Sequence, residues 1–215
     1  LTPGVSILAE EDKQHSLAPL DEFWCVDPID GTKGLLQGEQ DYCINIALVQ
    51  YGSPVLALIH APVTGITYLS DGSGSRVIQR NVSESIKVAV GRSFEQMRLL
   101  TGVFNRIDEV IKRFVPAWLS AVDHMNSALK FCAIARGDAD IYVRIGPTSL
   151  WDAAAGQLIV EQAGGCVVDF SGEKLQYRPE LGLINSPFIV LGSPEHLPTV
   201  LTLCQTIRGH YDKQS

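Results

Sequence analysis

Apolar positions gather into short runs along the chain, and their spacing changes between its two halves. Phe23, Trp24, Cys25 and Val26 form a compact run that reads as a buried strand. It is expected to stop at Asp27-Pro28, because proline cannot donate to a β-ladder. Three β-rich runs follow at 42–49, 55–61 and 66–70, separated by Gly52-Ser53-Pro54 and Thr64-Gly65. That punctuation predicts an antiparallel meander. Asp71-Gly72-Ser73-Gly74-Ser75 reads as a flexible turn, and Lys87-Val88-Ala89-Val90 as a further strand.

Helical spacing takes over in the second half. Phe104, Ile107, Val110, Ile111 and Phe114 recur at i, i+3, i+4 and i+7, predicting an amphipathic helix that Pro116 ends. Ser127 reads as the N-cap of a helix that reaches Ala135 and stops before Gly137; a strand at 141–144 follows. Another helix is expected from Asp152 to about Ala163, closing at Gly164-Gly165 and giving way to a strand at 166–168. Helices alternating with strands imply a layered α/β fold. With no internal repeat and no linker, residues 1–215 are expected to form one domain, with approximate lobes at 1–90 and 91–215.

Composition narrows the class. The chain has 215 residues, 46% of them hydrophobic and 19% charged, enough for a substantial core and too apolar for disorder. No apolar run approaches the roughly 20 residues of a membrane-spanning helix, and Leu1-Thr2-Pro3-Gly4-Val5 lacks the basic-then-apolar order of a signal peptide. A soluble protein is expected. Five scattered cysteines without C-x-x-C spacing argue against a disulfide framework or a zinc site and suit a reducing cytoplasm. The net charge of -7 disfavours binding to nucleic acid polymers.

Chemistry concentrates at three acidic places: Glu10-Glu11, Asp27-Pro28-Ile29-Asp30-Gly31-Thr32, and Asp152 within Trp151-Asp152-Ala153-Ala154-Ala155-Gly156. Hard cations such as Mg²⁺ select carboxylate oxygens and leave positions for water and substrate phosphate. A phosphate ester beside four carboxylates would be repelled, so divalent metal would have to supply positive charge. A calcium EF-hand reading of the Asp27 loop fails, because Ile29 and Gly38 occupy its third and twelfth positions. A haloacid dehalogenase-like site resembles D-x-D-G-T, whereas two residues separate these aspartates, so that reading stays only as a runner-up. Taken alone, the stretch could equally be a pair of solvated turns.

Together the three stretches resemble the inositol monophosphatase-like superfamily, whose signatures are D-P-[IL]-D-G-T and W-D-x-A-A-G; Ala153 takes the usual threonine's place. Gly31-Thr32-Lys33-Gly34-Leu35, Ser127-Ala128-Leu129-Lys130-Phe131-Cys132 and Arg144-Ile145-Gly146-Pro147-Thr148 resemble its 3'(2'),5'-bisphosphate nucleotidase branch. The resemblance implies an α/β sugar-phosphatase sandwich of αβαβα layers. It also implies Mg²⁺ held by Glu10, Asp27, Asp30, Asp152 and the carbonyl of Ile29, with Glu11 outside that shell. Thr32, with Glu10 and Asp30, would carry the catalytic step by positioning the attacking water.

On the same basis the substrate would touch Glu10, Ile29, Asp30, Gly31, Thr32 and Asp152, while Ser127, Lys130 and Arg144 would clamp the nucleotide and its second phosphate. Read singly, Ser127 is a helix cap and the two cations are solvated charges. The implied substrate is adenosine 3',5'-bisphosphate, hydrolysed to AMP by a lithium-sensitive monomer or homodimer. The rivals are an inositol or sugar monophosphatase and a metal- or nucleotide-binding protein without turnover. Phe94 stands where the branch carries histidine, so an aromatic is expected to replace a polar nucleotide contact. Family members also carry an N-terminal helical pair with an aspartate that assists Thr32. Because the chain begins at Leu1, it is expected to be a piece of a longer protein.

Overall fold

The computed structural model describes residues 2–12, 18–102 and 122–211. Its first half is β1 (Ser6–Ala9), β2 (Glu22–Asp30), α1 (Thr32–Leu36), β3 (Cys43–Gln50), β4 (Ser53–Ala61), β5 (Ile66–Ser70), β6 (Ser75–Gln79) and β7 (Val82–Ser85). These seven strands make one sheet in chain order. β1 runs parallel to β2, and every later neighbour is antiparallel. The expected meander is therefore present, and it continues through two further strands, β6 and β7. Asp71-Gly72-Ser73 makes the turn, and Ser75 already begins β6.

The second half contributes β8 (Leu99–Thr101), β9 (Val122–His124), α2 (Leu129–Ala135), β10 (Ile141–Arg144), α3 (Leu150–Gln162), β11 (Cys166–Asp169), β12 (Phe188–Leu191) and α4 (Leu197–Tyr211). Its sheet has the order β11-β12-β10-β8-β9. The helix expected around Phe104 to Phe114 lies outside the described residues.

Helices α2 and α3 fill the space between the two sheets. α3 buries Leu150, Trp151, Leu158 and Ile159 on all sides, the pattern of a helix enclosed by protein rather than facing water. On the far face of the second sheet, Val200 and Cys204 of α4 join Leu99, Ile141, Ile189 and Leu191 in a second core cluster. The described layers thus run β-α-β-α.

Three local expectations change. β2 does not stop at Asp27 but passes through Pro28 to Asp30, with an irregularity that accommodates the proline. Residues 87–90 form no strand: the amide of Val88 donates to the carbonyl of Ala163 (3.1 Å), so this extended segment is tied to the end of α3 instead of to a ladder. Ser127 is not the N-cap, a place taken by Ala128; Ser127 sits one residue earlier in the left-handed region (φ 56°).

Candidate metal and phosphate site

Asp27 and Asp30 are three residues apart on β2, and in a regular strand they would face opposite sides. Their partners on β3 are Asn45 and Cys43, only two residues apart. The extra residue on β2 is a bulge, which turns both carboxylates to the inner face. Pro28, without an N–H, falls where the ladder is interrupted. Gly31 then takes φ 98°, and a Cβ there would come within 3.3 Å of the Ser127 Cβ; this close turn lets Thr32 begin α1. Parallel pairing of Ala9 with Val26 carries the next residue, Glu10, alongside Asp27. Asp152 arrives from the other side, at the third position of α3.

One oxygen each from Asp27, Asp30 and Asp152 lies within 4.8 Å of the other two. In every case the second contact of the carboxylate is fixed. Asp27 Oδ1 accepts the Ile29 amide (2.9 Å) and Asp152 Oδ2 accepts the Ser149 amide (2.8 Å). Asp30 Oδ2 accepts the Ala128 amide and Asn45 Nδ2 (3.1 Å). Burial raises the pKa of all three. For Asp27 the repulsion of Asp30, Glu10 and Asp152 adds to it. For Asp30 burial is opposed by Lys130, Asn45 and the Ala128 amide. Asp152 is pushed up to about 7 by burial and then by Asp30, with the Ser149 amide pulling the other way. Crowded, part-dehydrated carboxylates gathered this closely are what a hard divalent ion relieves. The donor set fits such an ion.

The same cavity, about 630 Å³, includes Glu10, Thr32, Ser127, Lys130 and Arg144 in its walls. Thr32 Oγ1 donates to the Ile29 carbonyl (3.0 Å). Lys130 is buried; its Nζ donates to the carbonyls of Ser127 (2.6 Å) and Met125 (3.2 Å) and lies 5.0 Å from the Tyr142 ring centroid. Burial pushes its pKa down to about 8, against the pull of Asp30. Arg144 donates to the carbonyls of Gly146 (3.1 Å) and Pro147 (2.7 Å). Ser127 Oγ donates to the Asp41 carbonyl (2.7 Å) and receives the Leu129 amide.

Every residue implied as a ligand or substrate contact therefore meets in one cavity, Gly31 and Ile29 included. Glu11 is exposed and outside it. Phe94 is not among the described lining residues; it packs against the second core cluster and edge-on to His196, 6.3 Å between centroids. Sequence reasoning missed Asn45, and also Asp41, which binds the Asn126 amide and side chain and anchors the loop before α2. For Asn45 the available signal was a polar residue at an inward position of an apolar strand; Asp41, in the loop before β3, carried none.

A layered fold with a hard-oxygen cluster at the end of its larger sheet, sharing a cavity with the buried Lys130 and the half-buried Arg144, defines a phosphatase-type protein. The inositol monophosphatase family model matches residues 1–207, and the chain belongs to that family. It is 34% identical over 196 residues to the 3'(2'),5'-bisphosphate nucleotidase CysQ of Salmonella typhimurium, covering 88% of this chain and 77% of the relative. A crystal structure of CysQ from Bacteroides thetaiotaomicron superimposes with TM-score 0.76 at 30% identity, over 89% of this chain and 78% of that one. An IMPase of Thermotoga maritima gives TM-score 0.80 at 28% identity, over 97% and 77%. No helix among the described residues is long and apolar enough to cross a membrane.

Proposed function

We propose that this chain is a magnesium-dependent phosphatase that removes the 3'-phosphate of adenosine 3',5'-bisphosphate, giving AMP and phosphate. The observation that carries the reading is the sharing of one cavity by the acid cluster and by Lys130 and Arg144. Its size lies within the roughly 300–1,000 Å³ of small-ligand sites. Acids alone would suit a single phosphate; two cations across the cavity provide for a second. The similarity to CysQ favours a nucleotide over an inositol ester.

Glu10, Asp27, Asp30, Asp152 and the Ile29 carbonyl would hold Mg²⁺. When bound, the metal offsets the charge of the phosphate and makes water a better nucleophile. Thr32 Oγ1 gives its hydrogen to the Ile29 carbonyl, so its lone pairs are left to accept from a water and turn that water's own lone pair toward phosphorus. Lys130 has three hydrogens and places two on backbone carbonyls; the third is held ready for a phosphate oxygen. Arg144, fixed by two carbonyls, presents its remaining N–H groups in a rigid plane.

The test is phosphate release from adenosine 3',5'-bisphosphate and from inositol 1-phosphate, with and without Mg²⁺, by the wild type and Asp152→Asn. Magnesium-dependent turnover of the nucleotide is expected. In the variant it should drop by more than about 100-fold, beyond the 10–100-fold typical for loss of an outer partner. Preference for the inositol ester would sink the nucleotide assignment, and Mg²⁺ binding without turnover of either ester would sink the enzyme.

A further inference from the structure

Asn45 is an unexpected residue for its place. It lies on β3 directly opposite Asp27, 1% exposed, between the buried Cys43 and Ala47 on the inner face of the sheet. A buried amide is costly unless its hydrogen bonds are made. Here both ends are used: Nδ2 donates to Asp30 Oδ2 (3.1 Å), and Oδ1 accepts the Cys43 thiol (3.3 Å). Because an ionised carboxylate only accepts, the amide must turn its nitrogen to Asp30, and the one thiol hydrogen, nearer to Asn45 Oδ1 (3.3 Å) than to Asp30 Oδ2 (3.7 Å), suits the same orientation.

From this geometry we infer that Asn45 is a positioning residue, which selects the oxygen of Asp30 that is offered to a metal ion. Asn45 Nδ2 from β3 and the Ala128 amide from the start of α2 converge on Oδ2, where the Cys43 thiol also comes within 3.7 Å. Oδ1 has no hydrogen-bond donor among the described residues and remains as the ligand. Carboxylate torsions are broad, so donors from two separate elements are what hold this plane still. Among the described residues, the backbone amides of Ile29 and Ser149 hold Asp27 and Asp152, and side-chain substitution does not remove them; Asp27 also meets the Glu10 carboxyl. Among the three, only Asp30 depends on a side-chain amide. The inference rests on the reading of the acids as metal ligands.

The test is Mn²⁺ binding to metal-free protein, followed by the electron paramagnetic resonance signal of free Mn²⁺ and normalised to the folded fraction. Asn45→Leu keeps the volume and removes the donor; Asn45→Ala removes both. A positioning role predicts that both lose affinity by about tenfold and to the same extent, although the alanine variant is the less stable. Affinity within twofold of wild type in either folded variant overturns the inference. So does a loss confined to alanine, which would report a packing defect. Asp27→Asn separates the two readings: it should abolish binding. If it binds Mn²⁺ like wild type, the metal site itself is wrong; if it fails to bind while the Asn45 variants bind normally, only the role of Asn45 is.

Discussion

Asp152 performs two tasks: its Oδ2 caps α3 by accepting the Ser149 amide, and its carboxylate joins the acid cluster. Its pKa, pushed up to about 7 by burial and then by Asp30, means that the folded protein without metal binds this proton more tightly than the unfolded chain. The stabilising contribution is therefore complete below the ordinary aspartate pKa near 3.9 and is lost as pH rises through about 7. Asp152→Asn keeps an acceptor for Ser149 and removes the ionisation. In chelator, urea unfolding at pH 5 and pH 8 should show the wild type losing ground to this variant at pH 8; an equal difference at both pH values would contradict it. Metal reverses the trend, because protons and cation compete for the same oxygens, and affinity should weaken on acidification.

Packing of α2 against α3 sets the back of the cavity. Gly156 lies so close to the Phe131 ring that a Cβ would sit 2.3 Å from its Cγ. Phe131 in turn meets Tyr142 edge-on at 5.7 Å and Phe188 at 5.9 Å, all three lining the site. Gly156→Ala should therefore destabilise despite alanine's better helix propensity, by about 2 kcal/mol, with Tm lower by about 4–8 °C. Gly146→Ala is the control, since nothing lies within 4 Å of its added carbon and its φ is not positive. Calorimetry on the two variants checks the contrast, and equal Tm values would count against the close approach of the two helices.

At the scale of the whole molecule, the site is a seam. Asp27 and Asp30 come from the first sheet, Asp152 and Lys130 from the helices between the sheets, and Arg144 from the second sheet. A cation bound there ties these layers together and offsets the repulsion that opposes their closure. At about 100 times its Kd, a ligand specific to the folded state adds about 2.7 kcal/mol. Removal of metal should accordingly lower Tm on the order of 5–10 °C, restored by Mg²⁺. A Tm indifferent to chelator and to Mg²⁺ would argue against a metal held by these acids.

Much of the site was legible in the linear order of residues because part of its chemistry is local: Asp27, Asp30, the glycine turn at Gly31 and the Thr32 hydroxyl fall within six consecutive positions. Strands of clear apolar pattern, such as Ile66–Ser70 and Ile141–Arg144, were legible for the same reason. Tertiary structure decided what depends on a partner. Pro28 looked like the end of a strand, and only pairing with β3 turned it into a bulge that puts both aspartates on one side. Lys130 looked like a solvated charge or a clamp, and only the fold of the loop before α2 placed its ammonium on backbone carbonyls inside the cavity. Asn45 carried no motif at all. Its meaning arises from one hydrogen bond across 15 positions of sequence, a distance that residue order alone does not close. Sequence fixes which groups exist and their immediate backbone; long-range packing determines which of them face each other, in what orientation, and how far water is excluded.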